Sequence, residues 1–372
     1  MFREDFVWGV ASSAYQVEGT DAADGRGACV WDMFAADGRV FEHQNADTSC
    51  DHMHHYKEDI ALMKHLGIRA YRFSLNWARI LPEGTGRVNE KAIAMYRDMI
   101  LTMKENGITP YLTLFHWEFP QALYERGGWQ NPDVVQWFGE YAKVVAENFS
   151  DICEYFITIN EPQCVVGLGH LSGVHAPGVK LPVAQTFLVA HHLLMAHGQA
   201  VINLRRYAVR PVKIGFAPTG GVAYPYTDRP EDIEAAKKVY FGFYNPIDNW
   251  TWNVSWFSDP VFLGHYPEEG LKKFAPYLPE ITQEDMELIY QPLDFMGQNI
   301  YNGYYVRAGA DGEPEFVDRA PGFPKTGSDW PVTPEAFYYG IKFLTERYPL
   351  PLYITENGMS CHDDCLLYTS DA

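Results

Sequence analysis

The sequence predicts an α/β protein built as a parallel (β/α) barrel. Strand-like runs rich in Val, Ile, Tyr and Phe alternate with helix-length segments along the chain. The first strand is followed by GVASSAYQVEG, which lacks the G-x-G-x-x-G loop of an open dinucleotide-binding sheet. No linker or internal repeat divides the 372 residues, and one α/β barrel commonly runs past about 250 residues. A closed barrel forming a single domain is therefore favoured over an open doubly wound sheet.

Seven segments are predicted as barrel strands. They are residues 6–13, 69–75, 109–115, 154–160, 212–218, 293–301 and 351–357. Apolar residues recur roughly every 3.6 positions in five segments, which predicts helices over 56–67, 90–107, 132–149, 181–205 and 333–347. Gly67 and Gly107 follow two of these helices, as C′ glycines do. Three long intervals rich in Gly, Pro, Tyr and Trp are predicted as loops on one barrel face: 162–180, 243–270 and 302–332.

The charge balance excludes two classes of partner. The chain carries 29 Lys and Arg against 48 Asp and Glu, a formal charge of −19, and no stretch clusters basic residues. We expect no nucleic-acid or anionic-membrane partner. No run of 18 apolar residues occurs, and Arg3, Glu4 and Asp5 do not fit a signal peptide. These features predict a cytoplasmic soluble protein.

The cysteines and histidines do not indicate a metal site. Six cysteines are scattered along the chain and are expected to be reduced. Cys361-His362-x-x-Cys365 resembles half of a zinc site, but no second pair of ligands follows. The histidine-rich run 50–59 is interpreted as the start of a helix with Asp51 as its N-cap. Neither a metal nor an organic cofactor is expected.

Polar residues at the strand ends mark the candidate site, because the carboxyl ends of barrel strands face the active site. These residues are Gln16, Glu18, Arg72, Asn76, His116, Asn160, Glu161, Asn299, Tyr301 and Glu356. The set contains no serine elbow, no H-E-x-x-H and no phosphate-binding glycine loop.

Glu161 and Glu356 end the fourth and seventh predicted strands and would face each other across the barrel mouth. Either one alone would be interpreted as a strand-end residue paired with an Arg, but together, each beside an Asn, they favour a two-carboxylate site. Glycoside hydrolysis needs such a pair, one as acid and one as nucleophile or base. Neighbouring amides and a histidine suit sugar hydroxyls. Flat apolar surfaces for a sugar ring are offered by Trp8, Trp117 and Trp330.

Six motifs in order resemble glycoside hydrolase family 1, the retaining β-glucosidases and β-galactosidases with a (β/α)8 barrel. They are QVEG, YRFS, HW, TINEP, HAPG and ITENG, and the likeness covers residues 1 to about 363. The resemblance implies that Glu161 is the acid/base and Glu356 the nucleophile. It also implies supporting roles: substrate contacts from Gln16, His116, Asn160, Asn299 and Tyr301, support of the nucleophile from Arg72 and Tyr301, and an aglycone entrance at Trp330.

The resemblance predicts a retaining β-glycosidase acting on terminal β-D-glucosides, with β-galactosides as further substrates. The alternatives are a truncated, inactive or binding-only product of the same fold, or a 6-phospho-β-glycosidase. The family's eighth strand and helix are expected to be missing after residue 364, so the domain is assigned to residues 1–364 and 365–372 to a non-native tail. An enolase-like barrel would need metal-binding carboxylates on three successive strands, which are absent from the sequence. The family more often has HWDLP where this chain has HWEFP, with Glu118.

Overall fold

A computed structural model describes residues 3–20 and 24–361. Its strands are β1 Gly9–Ala11, β2 Ala70–Ser74, β3 Thr109–Phe115, β4 Tyr155–Asn160, β5 Lys213–Ala217, β6 Val222–Pro225, β7 Phe295–Asn299, β8 Gly303–Ala308, β9 Pro314–Val317 and β10 Leu352–Glu356. The helices are α1 Ala14–Val17, α2 Val30–Ala36, α3 His52–His65, α4 Trp77–Ile80, α5 Glu90–Glu105, α6 Gln121–Tyr124, α7 Val134–Phe149, α8 Pro162–Cys164, α9 Val183–Tyr207, α10 Pro230–Phe241, α11 Val254–Phe262, α12 Glu268–Phe274, α13 Gln283–Ile289 and α14 Pro334–Arg347.

The main sheet is parallel and confirms the predicted fold class. Its strand order is β1-β2-β3-β4-β5-β7-β10, so successive barrel strands are neighbours in the sheet. This is the (β/α) barrel arrangement, in which helices connect parallel strands around a common interior. All seven predicted barrel strands are present. The first is shorter than predicted, because only Gly9–Ala11 pairs with β2 in the register Gly9 to Ala70.

The predicted helices are present with shifted ends. Helix α3 begins at His52, directly after Asp51 as the histidine-rich run predicted and four residues before the start given by the apolar pattern. Asp51 precedes it as predicted, but its φ is 51° and its side chain caps no backbone N–H. Instead, its carboxylate lies 2.6 Å from Nδ1 of His54. Gly67 and Gly107 have φ of 75°, the left-handed conformation expected at a helix end.

The three intervals predicted as loops contain regular structure. Residues 162–180 include α8 and a π-helical stretch, Val165–Leu171. Residues 243–270 include α11, and residues 302–332 include β8 and β9. Strands β6, β8 and β9 form a second sheet of three strands, against which α10 packs. Residues 162–180 and 302–332 do connect a barrel strand to a following helix, β4 to α9 and β7 to α14, but the regular structure inside them was not predicted.

Aromatic side chains fill the barrel interior near the amino ends of the strands. Ile157, Ala217 and Phe295 are buried together and contact Tyr155 and Tyr353. The rings of Phe295 and Tyr353 stack with centroids 4.7 Å apart. This packed layer makes the barrel a core rather than a pore and supports the strand ends above it.

Two further expectations concern membranes and metals. Within residues 3–20 and 24–361, no helix is both long and apolar enough to cross a membrane. The described side chains include no group of three His, Cys, Asp or Glu residues placed to bind a metal ion. Of the Cys361-His362-x-x-Cys365 pattern, His362 and Cys365 lie outside the described residues, as does the predicted tail 365–372.

A buried ion pair anchors α14, the helix that precedes β10. Asp259 on α11 has a side chain only 1% exposed, and Arg347 places Nε 3.0 Å and Nη2 2.5 Å from its two oxygens. The hydroxyl of Tyr348 donates to the same carboxylate at 2.8 Å. The pair therefore ties the start of β10 to the helical layer.

Arg347→Met is expected to lower the free energy of unfolding by about 3 kcal/mol, because it leaves the buried Asp259 carboxylate without a cation. The matched control is Lys237→Met, whose partner Glu346 is 37% exposed and for which we expect a loss below about 1 kcal/mol. Urea unfolding followed by tryptophan fluorescence measures both. Equal losses in the two variants would contradict the anchoring role of Arg347.

Candidate active site

Glu161 lies directly after β4, where the backbone turns sharply. Its φ of 44° and ψ of 67° are left-handed, which is uncommon for a residue with a Cβ. Two hydrogen bonds hold the turn: the Glu161 N–H donates to the carbonyl of Ala217 at 2.8 Å, and the Cys164 N–H donates to the carbonyl of Glu161 at 3.0 Å. The surrounding structure thus fixes the backbone that presents this carboxyl group.

Glu356 is the last residue of β10 and is bound by a cation and a phenol. Nη1 of Arg72 lies 2.5 Å from its Oε1, and the hydroxyl of Tyr301 donates to its Oε2 at 2.6 Å. Burial alone would raise the pKa of Glu356, but the Arg72 guanidinium and the Tyr301 hydrogen bond outweigh it and lower that pKa. Glu356 is therefore held ionised.

Glu161 has the opposite environment. It is 6% exposed, and its oxygens accept from Nδ2 of Asn299 at 2.8 Å and from Sγ of Cys164 at 3.2 Å. Burial, followed by repulsion from Glu356, raises the pKa of Glu161. No cation pairs with it among the described residues. Two carboxyl groups whose pKa values are pushed apart in this way suit an acid and a nucleophile.

Asn160 connects the two carboxyl groups. Its Oδ1 accepts from Nη2 of Arg72 at 2.6 Å and from Nδ2 of Asn299 at 3.0 Å. Its Nδ2 therefore faces Nε2 of His116 at 3.1 Å, so Nε2 must be the acceptor and Nδ1 carries the proton. Burial lowers the pKa of His116 to about 4, which keeps the imidazole neutral at pH 7. Nδ1 of His116 has no partner among the described residues.

Several supporting residues were not predicted from the sequence. The hydroxyl of Thr113 accepts from Nε of Arg72 at 3.0 Å, and the hydroxyl of Thr355 donates to Oδ1 of Asn299 at 2.6 Å. Both are polar residues inside otherwise apolar strands, which is a signal that could have identified them. Cys164 has no such signal, because its contact with Glu161 depends on the turn after β4. Trp117, by contrast, was predicted as a flat surface for a sugar ring, and its Nε1 donates to the carbonyl of Asn160 at 3.1 Å.

Gln16 and Trp330 lie at the margin of this network. Gln16 is exposed on α1, and its Oε1 accepts from the hydroxyl of Ser13 at 2.8 Å. Trp330 is 46% exposed, and its ring contacts the ring of Tyr301 edge-on with centroids 5.4 Å apart. The structure thus brings seven of the predicted site residues into one connected set and places these two beside it. The seven are Arg72, His116, Asn160, Glu161, Asn299, Tyr301 and Glu356.

Two other strand-end candidates, and one tryptophan predicted to contact the sugar, have other positions in the fold. Glu18 is buried against Arg79, with Oε2 3.2 Å from Nε. Asn76 caps α4 by accepting from the Arg79 N–H at 3.1 Å. Trp8 precedes β1, and its carbonyl accepts from the N–H of Arg69 at the start of β2. Trp8 therefore lies at the amino ends of the strands, and its predicted contact with a sugar at the opposite end was wrong.

Comparisons with known proteins agree on one family. The sequence model of Glycosyl hydrolase family 1 matches residues 1–370. The chain is 42% identical to Beta-glucosidase A of Thermotoga maritima over 97% of its own length and 79% of that relative. It is 41% identical to the 1,4-beta-D-glucan glucohydrolase of Thermotoga neapolitana, covering 97% of this chain and 83% of that one.

Solved structures give the same result. The fold is similar to that of the Thermotoga maritima beta-glucosidase in complex with glucoimidazole, with a TM-score of 0.85 and 41% identity. The match covers 97% of this chain and 80% of that one. A second similar structure is the same beta-glucosidase in complex with deoxynojirimycin, also with a TM-score of 0.85.

Proposed function

Since the chain belongs to glycosyl hydrolase family 1, we propose that it hydrolyses terminal β-D-glucosides with retention of configuration, through a covalent glycosyl-enzyme. The observation that carries this proposal is that the surroundings of two carboxyl groups shift their pKa values in opposite directions. Glu356 binds Arg72 and Tyr301, whereas Glu161 is buried beside an amide and a thiol. The relatives named beta-glucosidases support the choice of glucosides.

In the first step, the ionised carboxylate of Glu356 attacks the anomeric carbon of the glucoside. Glu161, whose pKa is raised by burial, arrives protonated and transfers its proton to the departing glycosidic oxygen. Arg72 and Tyr301 limit the rotation of the Glu356 carboxylate and direct it at the sugar. The C–O bond to the aglycone breaks as the bond to Glu356 forms.

In the second step, Glu161 must act as a base. Once Glu356 is esterified its negative charge is gone, so the repulsion that helped to raise the pKa of Glu161 disappears. Glu161 can then take a proton from a water molecule that attacks the anomeric carbon from the face the aglycone has left. The same residue thus acts as acid and then as base because its neighbour changes charge.

Sugar hydroxyls are assigned to the polar groups around the pair. The neutral His116 offers an Nδ1–H donor that no described residue accepts from, and the amides of Asn160 and Asn299 are fixed by their hydrogen bonds. Gln16 and Trp330 complete the proposed substrate contacts at the margin. β-Galactosides are proposed as further substrates. The cytoplasmic location and the absence of nucleic-acid and membrane partners stay predictions from the sequence.

Hydrolysis of p-nitrophenyl β-D-glucoside by the 372-residue chain tests this function. Proton NMR of the first product, recorded before mutarotation mixes the anomers, distinguishes retention from inversion of configuration. We expect β-glucose first, as retention requires. α-Glucose as the first product would overturn the covalent mechanism, and no turnover of any β-glucoside would overturn the proposed function for this chain.

Tyr301→Phe is expected to shift the acid limb of the kcat/KM profile to higher pH. The Tyr301 hydroxyl stabilises ionised Glu356, so its removal raises the pKa of Glu356 and activity is lost sooner as the pH falls. We expect kcat/KM on the plateau to fall about tenfold. The matched control is Tyr338→Phe on α14, which is solvent-exposed. An unchanged acid limb in Tyr301→Phe would show that its hydroxyl does not tune the nucleophile.

A further inference from the structure

Glu118 is a buried carboxyl group that the proposed mechanism does not use. It follows His116 and Trp117 after β3 and is 1% exposed. Its Oε1 accepts from the N–H of Tyr15 at 3.1 Å and from the hydroxyl of Ser74 at 3.4 Å. No ion pair involves it among the described residues, and burial raises its pKa to about 8. At pH 7 this carboxyl group is therefore mostly protonated, and a buried polar group needs hydrogen-bond partners, so its partners indicate what it does.

The partners of Glu118 lead to Gln16. Ser13 is the N-cap residue of α1, yet its side chain caps no backbone N–H; it donates to Oε1 of Gln16 at 2.8 Å. The first two N–H groups of α1 donate to acceptors in other parts of the chain. The Ala14 N–H donates to the hydroxyl of Ser74 at 2.7 Å, and the Tyr15 N–H donates to Glu118. These two outside acceptors leave the Ser13 hydroxyl available for Gln16.

We infer that Glu118 is a positioning residue that orients Gln16 towards the sugar by accepting the Tyr15 N–H and so keeping Ser13 bonded to Gln16. Without that acceptor, the Tyr15 N–H at the second helical position would compete for the Ser13 hydroxyl, because an N-cap oxygen is the usual acceptor for the N–H groups of the first turn. A hydroxyl can accept and donate at once, so the bond to the Gln16 carboxamide is lost through the change of Ser13 rotamer that carries its Oγ to the Tyr15 N–H. The inference rests on the proposed function, because it concerns a residue assigned to substrate.

A double-mutant cycle tests this inference on the full chain. Glu118→Met removes the acceptor while keeping a side chain of similar length, and Glu118→Gln keeps an acceptor oxygen. Each is made in the parent and in a Gln16→Ala background. The measurements are kcat and KM with p-nitrophenyl β-D-glucoside, the Kd of deoxynojirimycin by calorimetry, and the midpoint of thermal unfolding.

We expect Glu118→Met to lower kcat/KM about fivefold to tenfold, the usual effect of losing one orienting hydrogen bond, and Glu118→Gln to restore it. In the Gln16→Ala background, Glu118→Met should have no further effect, since residues that act through each other are not additive. Additive losses, or an equal loss in Glu118→Gln, would overturn the inference while leaving the proposed function intact.

A second variant keeps the test decisive if Glu118→Met does not fold. Ser13→Ala removes the donor to Gln16 without disturbing the buried carboxyl group, and we expect the same loss, again absent in the Gln16→Ala background. If the parent chain binds deoxynojirimycin without turnover, the same cycle is evaluated on Kd. Neither turnover nor binding in the parent would overturn the proposed function and this inference with it.

Discussion

Glu356→Gln is expected to lower kcat/KM for p-nitrophenyl β-D-glucoside by about 10⁴-fold or more. An amide carries no charge and cannot form the glycosyl ester, so the first chemical step has no nucleophile. The change is nearly isosteric and preserves the acceptor for Tyr301. It does, however, leave the buried guanidinium of Arg72 without its ion pair, and a modest fall in stability should accompany the loss of turnover.

The control for this variant is Glu140→Gln, which makes the same chemical change at an exposed position on α7. A companion variant, Glu356→Ala, leaves room for a small anion where the carboxylate was. Added azide should then attack from that face and give α-glucosyl azide, which identifies the missing nucleophile by stereochemistry. Turnover in Glu356→Gln equal to that of Glu140→Gln would refute the role of Glu356.

The second large effect is expected at Glu161. With Glu161→Ala, a substrate with a poor leaving group should lose about 10²- to 10⁴-fold in kcat/KM, because no acid protonates the departing oxygen. A 2,4-dinitrophenyl glucoside needs no such proton, so its first step should be nearly unaffected. Its second step lacks a base, and the glycosyl-enzyme should accumulate.

Rapid-mixing experiments detect that accumulation as a burst of dinitrophenol stoichiometric with the enzyme. Azide should accelerate the slow phase and give β-glucosyl azide, because it enters from the face that Glu161 occupied. This product has the opposite configuration to that expected for Glu356→Ala. The same loss with both leaving groups, or no burst, would show that Glu161 is not the acid/base.

The fold class and the principal site residues could be predicted because they depend on regular patterns. Strands such as TPYLTLF and EYFITIN are apolar throughout, as strands buried on both faces must be, and a polar residue at their ends stands out. Asn160, Glu161 and Glu356 were found in this way. The short β1 was not predicted at its true length, since pairing with β2 decides where a strand ends.

The rest of the site depends on tertiary contacts that no local pattern reports. Cys164 reaches Glu161 across the turn after β4, where the left-handed backbone of Glu161 is bonded to the carbonyl of Ala217 on β5. Glu118 looked like a minor departure from a family motif, yet it bonds a segment 103 residues earlier in the chain. The second sheet was missed for a related reason, because β6 and β8 come from distant parts of the sequence.

The bond between Arg72 and Glu356 joins residues 284 positions apart in the chain. Contacts of such long range form slowly, since the entropy of closing the intervening chain must be overcome before the contact contributes. The nucleophile thus acquires its fixed position, and the cation that keeps its pKa low despite burial, only when the seventh barrel strand docks beside strands made much earlier. Affinity for a sugar mimic would consequently serve as a sensor of completed folding, whereas helix content would already be high in partly folded chains.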